Sequence, residues 1–135
     1  MFTAETQVRV RYAETDQMGI VYYGNYAMYY EVARVECMRA LGISYRELEE
    51  TGVLMPVLEN HTNYLAPAKY DDLLTIKVSI KEMPKVKITF CCDIFNEKNE
   101  LINVGRTILV FVNKDTGRPC RMPQQMELLL GPYFK

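Results

Sequence analysis

Tryptophan is absent from this 135-residue chain, histidine occurs once, at His61, and serine only at Ser44 and Ser79. These shortages remove most of the usual hydrolytic machinery. Neither serine stands in a Gly-x-Ser-x-Gly turn, which excludes a nucleophile elbow. A single imidazole cannot build a His-rich metal centre. The four cysteines, Cys37, Cys91, Cys92 and Cys120, lack the spacing of a zinc site, so no metal or other cofactor is expected. No Gly-x-Gly-x-x-Gly or Gly-Lys-Ser/Thr loop is present to hold a phosphate. No apolar run reaches membrane-spanning length, and Met1 to Glu5 has no basic or apolar leader, so integral membrane association is not expected. A net charge of −1 gives no general reason to expect nucleic acid. A Cys–His pair through His61 would set an apolar-strand thiol beside a strand imidazole, a weak candidate. Carboxylates are left to carry the chemistry.

What remains is an ordinary globule. Apolar residues make up 49% and charged residues 24%, and 135 residues suffice for one domain, 1–135, around one core. Cys91 and Cys92 point to opposite faces of a strand, and all four thiols read as reduced, structural and cytoplasmic.

The richest stretch is Tyr12 to Tyr26, which joins an alternating strand to an apolar helix and carries Asp16 ahead of that helix. Six of the ten tyrosines lie between Tyr12 and Tyr30. Gly19 and Gly24 allow close backbone approach. The first turn of a helix presents N–H groups without intrahelical partners, and with the helix dipole they favour negative charge. A carbonyl aimed there is polarised, and the oxyanion formed on attack is stabilised. The same positive end keeps Asp16 ionised as a nucleophile or as the base for a water. The plainer alternative is that Asp16 caps the turn or the helix.

Period-two alternation predicts a strand over Glu5 to Tyr12, with Val8, Val10 and Tyr12 on one face and Gln7, Arg9 and Arg11 on the other. The helix is predicted from Asn25 to Leu41, stopped by Gly42. Tyr26, Tyr29, Tyr30, Ala33, Cys37, Ala40 and Leu41 form its apolar band, and Met28, Val32, Val35 and Met38 extend it round the helix, as if a sheet enclosed it. Glu31 with Arg34 and Glu36 with Arg39 can pair at i,i+3, with Glu31 as a second site carboxylate the alternative. Ser44 to Glu47 is a capping box opening a short helix that ends near Gly52.

A strand follows from Val53 to Tyr64, where Pro56 marks an edge or a bulge. Pro67 to Asp72 turns into strands Leu73 to Met83, Val86 to Phe95 and Leu101 to Val112. The core-facing sets are Leu74, Ile76, Val78 and Ile80; Val86, Ile88, Phe90, Cys92 and Ile94; and Ile102, Val104, Ile108 and Val110, interrupted by Arg106, which would meet an acid or a phosphate. Asn96 to Glu100 is a hairpin loop and Asn113 to Pro119 a turn. Pro123 to Leu130 reads as a terminal helix before Gly131.

Tyr12 to Tyr26 resembles the Tyr-x-x-Thr-Asp-x-x-Gly-Val/Ile-Val-Tyr-x-x-x-Tyr signature of hotdog-fold acyl-CoA thioesterases of the 4-hydroxybenzoyl-CoA and Tol-Pal-associated type. Tyr64 to Leu74 matches a second block. Gly105 to Val112, with Arg118-Pro119 and Met122-Pro123, matches a third more weakly. The resemblance implies an α+β hotdog, a curved antiparallel sheet of about five strands wrapped round one long helix, and hydrolysis of an acyl-CoA thioester. It makes Asp16 the nucleophile or base and the backbone N–H of Tyr23, beside Gly24, the carbonyl-polarising group. It puts Gly19, Val21, Tyr22, Tyr26 and Tyr30 against the substrate, although the tyrosines could equally be core, and Glu31, two turns into the helix from the motif, is the alternative second carboxylate. It also implies a homodimer or homotetramer in which the Asp16 loop faces Asn60 to Tyr64 of a second copy. The family His stands here as Tyr23, so only the backbone role carries over. A hotdog dehydratase or hydratase using His61, and a non-catalytic acyl-CoA binding protein, are the alternatives.

Overall fold

The computed structural model describes all residues, 1–135. Five strands form one antiparallel sheet in the order β1-β4-β5-β6-β3: β1 (Phe2–Arg9), β3 (Val57–Tyr64), β4 (Leu73–Ile80), β5 (Lys87–Phe95) and β6 (Leu101–Val110). Helix α1 (Tyr26–Leu41) packs on β1, β4 and β5, giving the α+β hotdog arrangement. A short α2 (Tyr45–Glu50) starts at the Ser44 cap, whose hydroxyl accepts the Glu47 N–H at 3.1 Å. A small second sheet pairs β2 (Val53–Leu54) with β7 (Val112–Asn113), and α3 (Gln124–Leu130) buries Met126 and Leu130. No helix is long and apolar enough to cross a membrane.

The alternation in β4 and β5 folds as the sequence dictates. Leu74, Ile76, Val78 and Ile80, and Ile88, Phe90, Cys92 and Ile94, all lie in the core, whereas Val86 precedes β5 and is exposed. Burial pushes the Cys37 and Cys92 thiols up to about 12, and none of the four cysteines is in a disulfide. Strand Val53 to Tyr64 breaks at Pro56 into β2 and β3. β3 is the sheet edge, with a register shift between Val57 and Glu59, so the proline marks both features expected of it.

Other readings need correction. β1 runs earlier than Glu5 to Tyr12, because Tyr12–Glu14 curls into a 3₁₀ turn that leaves Tyr12 exposed. Ile102 is buried as expected, but beyond it the inward face of β6 is the opposite of the expected one. Asn103, Gly105, Thr107 and Leu109, continued by Phe111, are buried, and Arg106 lies exposed on the outer face with no acid in ion-pair range. The cause is a bulge: Ile94 pairs with Asn103 but Phe95 pairs with Leu101, so the extra Ile102 shifts the phase of the strand. Gly105 is required on that face, since a Cβ there would overlap the Tyr30 ring and hydroxyl.

The helix charges divide differently as well. Glu36 and Arg39 do pair, but Arg34 turns inward beside Tyr45 and makes no pair with Glu31. Val32 remains partly exposed, so one side of α1 faces solvent in the single chain. Finally, Gly131 does not stop the C-terminal helix cleanly but opens a 3₁₀ turn, Gly131–Phe134.

Candidate active site

Thr15 to Val21 folds into a miniature hairpin. A bridge joins Thr15 to Val21, Asp16 N–H donates to Ile20 O at 2.8 Å, and Gly19 N–H closes the turn onto Asp16 O at 3.0 Å. Gly19 has φ +80°, which accounts for its glycine. The Asp16 side chain completes the turn: Oδ1 accepts the Met18 N–H at 2.8 Å, the local bond that makes Asp a turn residue. No protein donor reaches Oδ2. The capping alternative is therefore half correct, since one carboxylate oxygen serves the turn and the other is free.

Two further segments meet this hairpin. The bridge from Ile20 to Lys69 and the Val21 N–H to Ala68 O bond, 2.8 Å, fasten it to the stretch after β3. On its other side a 3₁₀ turn, Tyr23–Asn25, leads directly into α1. The N–H groups of Tyr23 and Gly24 bond to no carbonyl, as the first donors of a helical start should.

Between these segments lies a cavity of about 360 Å³. The hairpin contributes Asp16, Met18, Ile20 and Val21; the helix start contributes Tyr23 and Tyr26; the third wall is Tyr64 to Pro67. Tyr64 stands edge-on to both other rings, with centroids 6.3 Å from Tyr23 and 5.5 Å from Tyr26, and its hydroxyl donates to Tyr23 O at 3.2 Å. Asp16 is the one carboxylate on this largely apolar lining, and neither Lys nor Arg is present. Burial holds the Tyr26 phenol above its ordinary range, so it is a neutral hydroxyl at physiological pH. A carboxylate oxygen without a partner and a helix-start residue, Tyr23, whose N–H bonds to no carbonyl line one apolar cavity; such a pair can attack, or activate water against, a carbonyl and receive the resulting oxyanion.

Comparison with known proteins supplies the family. Residues 10–129 match the model of the thioesterase-like superfamily. The chain belongs to that family. Acyl-CoA thioester hydrolase YbgC of Escherichia coli is 34% identical over 119 residues, 88% of this chain and 89% of that protein. A solved DHNA-CoA thioesterase from Staphylococcus aureus is 34% identical, with a TM-score of 0.90 over 98% of this chain and 89% of that one. A 4-hydroxybenzoyl CoA thioesterase mutant complexed with 4-hydroxybenzoyl CoA shares the fold, at 23% identity and TM-score 0.86 over 96% of this chain and 99% of that one. The protein is thus a hotdog thioesterase, an enzyme of thioester hydrolysis.

Within this thioesterase, Asp16, Val21, Tyr23, Tyr26 and Tyr64 come together at the cavity. The other expected residues do not line it. Gly19 serves the turn, and a Cβ on Gly24 would lie 2.8 Å from the Tyr22 ring. Tyr22 itself lies tilted against Tyr23, ring centroids 4.7 Å apart, and is half exposed. Tyr30 is wholly buried and bonds its hydroxyl to Asn103 Oδ1, so it is core. Glu31 is exposed on α1. Asn60 accepts the Thr107 hydroxyl at 2.7 Å, away from the cavity. His61 contacts Glu59 at 3.1 Å on the outer side of β3, and Arg106 separates it from Cys91 in the register, leaving no Cys–His pair.

Of the lining, sequence reasoning missed Met18 and Ile20 on the hairpin and the third wall beyond Tyr64. Leu65, Ala66 and Pro67 sit inside the matched block Tyr64 to Leu74, so the block itself was the signal. It also missed Glu14, whose i,i+3 spacing from Arg11 marks an ion pair.

Proposed function

We propose that this thioesterase hydrolyses an acyl-CoA thioester, with Asp16 as the reacting carboxylate and the Tyr23 N–H, beside that of Gly24, as the oxyanion donor. The observation that carries the reading is the shared cavity: the carboxylate and the helix start face one apolar space of about 360 Å³. Acting as base, Asp16 takes a proton from water as the water oxygen bonds to the carbonyl carbon. The C–S bond then breaks, and the thiolate leaves and is protonated. Acting as nucleophile, Asp16 bonds to the carbonyl carbon itself, expels the thiolate and leaves an anhydride for water to open. Both routes develop charge on the same oxygen, which the positive helix start stabilises. The side chains this chain gives the cavity favour an apolar or neutral acyl group, since no Lys or Arg is among them to pair with an anionic one.

The active unit in this reading is at least a homodimer joined along β3. That strand is a sheet edge, and Val57, Leu58 and Tyr64 on it are each about half exposed, an edge of the kind that pairs with another chain. A second copy there would bring further side chains to the cavity mouth beside Tyr64. Free thiols throughout the chain fit a reducing compartment such as the cytoplasm.

Thiol release from a panel of acyl-CoA esters tests the activity, with butyryl-, hexanoyl-, palmitoyl- and benzoyl-CoA as substrates. One thiol per acid formed is expected for at least one ester. Hydration of crotonyl-CoA without thiol release, or ester binding without turnover, would overturn the reading in favour of a hydratase or a binding protein.

A further inference from the structure

The hairpin that carries Asp16 is too short to hold itself in place. Its two flanking residues, Glu14 and Tyr22, are where it joins the rest of the chain, and one of them is a buried acid. Glu14 is 5% exposed and does not line the Asp16 cavity. It faces the opposite side, a crevice shared with Arg11, Met28 and Tyr29.

Every acceptor on Glu14 is engaged. Oε1 receives the Arg11 backbone N–H at 3.0 Å and the Tyr29 hydroxyl at 2.9 Å. Oε2 receives Arg11 Nε at 2.7 Å, and a second Arg11 nitrogen lies at 2.7 Å from the same oxygen. The backbone carbonyl of Glu14 receives two more donors, the Tyr22 N–H at 2.9 Å and Asn25 Nδ2 at 2.8 Å. One residue therefore touches the strand end through Arg11, the first turn of α1 through Tyr29, the 3₁₀ turn before it through Asn25, and the far arm of the hairpin through Tyr22. Burial of such a carboxylate is costly unless it is paired and bonded, and this one is.

We propose that Glu14 is a positioning residue for the hydrolytic reaction, its carboxylate and carbonyl together locking the Asp16 hairpin to the helix start that offers the Tyr23 N–H. The proposal rests on the thioesterase reading above. Glu14 touches no substrate; it fixes the relative placement of two groups that do. Asp16 lies two residues from Glu14 and Tyr23 one residue from Tyr22, so a shift at the Glu14 junction moves carboxylate and oxyanion donor apart. Misplacement on the scale of an ångström costs reactions of this kind up to about a hundredfold in rate.

Glu14→Gln tests this. The variant keeps the side-chain shape but sets an NH₂ against the donors of Arg11. Tyr29→Phe removes one of the remaining bonds, and Leu48→Ala, in α2 outside the Asp16 cavity, is the control for general destabilisation. On the best acyl-CoA ester of the panel, kcat of Glu14→Gln is expected to fall about ten- to a hundredfold while KM stays within about twofold. Tyr29→Phe is expected to lose less and to add little in the double variant. Amide hydrogen exchange at Asp16 and Tyr22 is expected to quicken in Glu14→Gln at least tenfold more than in Leu48→Ala.

A Glu14→Gln enzyme within twofold of wild type in kcat would overturn the proposal. So would a loss matched by Leu48→Ala at equal loss of Tm, or unchanged exchange at Asp16 and Tyr22. A wild-type chain that releases no thiol from any ester would instead overturn the hydrolytic reading, and the exchange comparison would still decide whether Glu14 holds the hairpin.

Discussion

Two acids stand two residues apart in one loop, and their surroundings give them opposite tasks. Glu14 faces the core, where both carboxylate oxygens are taken up by Arg11 and Tyr29. Asp16 faces the cavity, where one oxygen serves the turn and the other has no protein partner. A carboxylate whose lone pairs are all occupied is held and cannot attack or take a proton without breaking its bonds. One that is half occupied is oriented by its first bond and available through its second oxygen. The hairpin is the device that separates the two, turning its Glu14 end into the fold and its Asp16 end towards the cavity.

The largest effect should come from the free oxygen. Asp16→Asn keeps the acceptor for the Met18 N–H and removes the charge. Turnover is expected to fall by about two to four orders of magnitude, the range for a positioned acid–base group, with Tm nearly unchanged. Thiol release and a thermal melt on the same sample decide it; turnover within a few-fold of wild type would remove Asp16 from the reaction.

Association comes next. If the cavity mouth is completed across β3, turnover per chain should fall in step with the dimer fraction on dilution, followed by light scattering. A fully active monomer would confine both acids' roles to one chain.

The core side is expected to respond in stability. Gly105→Ala forces a methyl into Tyr30, and overpacking of this kind costs about 1–3 kcal/mol. Tyr29→Phe leaves the buried Glu14 carboxylate one donor short, at a cost of about 1–3 kcal/mol. Burial pushes the Glu14 pKa up, but the Arg11 N–H and side chain and the Tyr29 hydroxyl outweigh it and hold the carboxyl below its ordinary 4.5. A depressed folded-state pKa contributes stability that is present above 4.5 and lost as pH falls through the lower folded value. Denaturant midpoints of wild type and Glu14→Gln should therefore converge on the acid side of pH 4.5 and separate above it. A difference constant with pH would show that the charge of Glu14 adds no stability.

The division between what the sequence reveals and what it hides follows the same line. Elements set by local chemistry are legible: the end of α1 at Gly42, the Ser44 cap, the break at Pro56 and the alternation of β4 and β5. The cavity is legible where it coincides with the Tyr12 to Tyr26 signature, at Asp16, Val21, Tyr23 and Tyr26. The hidden features depend on a partner distant in sequence. The β6 face was misread because its inward residues, Asn103 and Thr107, are polar, and their bonds go to Tyr30 and Asn60 on other elements. Tyr26 and Tyr30 are both buried, yet only Tyr26 reaches the cavity, because Tyr30 lies against Gly105 and bonds to Asn103 on β6. Arg34 could not be separated from an i,i+3 pair with Glu31 until Tyr45 was in place beside it.

The smallest effect should be at His61, the chain's only imidazole. A dehydratase-like mechanism or a Cys–His pair would need it near the reacting carbonyl. It lies instead on the outer side of the edge strand, half exposed, with Glu59 as its contact and Arg106 between it and the Cys91 thiol. Its ring is absent from the Asp16 cavity. His61→Gln preserves a polar side chain that can still reach Glu59, so turnover is expected within about twofold of wild type, on the scale of an exposed substitution away from the chemistry. The assay is thiol release at saturating ester. A collapse in kcat with an unchanged Tm would mean that the outer face of β3 takes part in chemistry, in its own chain or in that of a second copy joined at this edge.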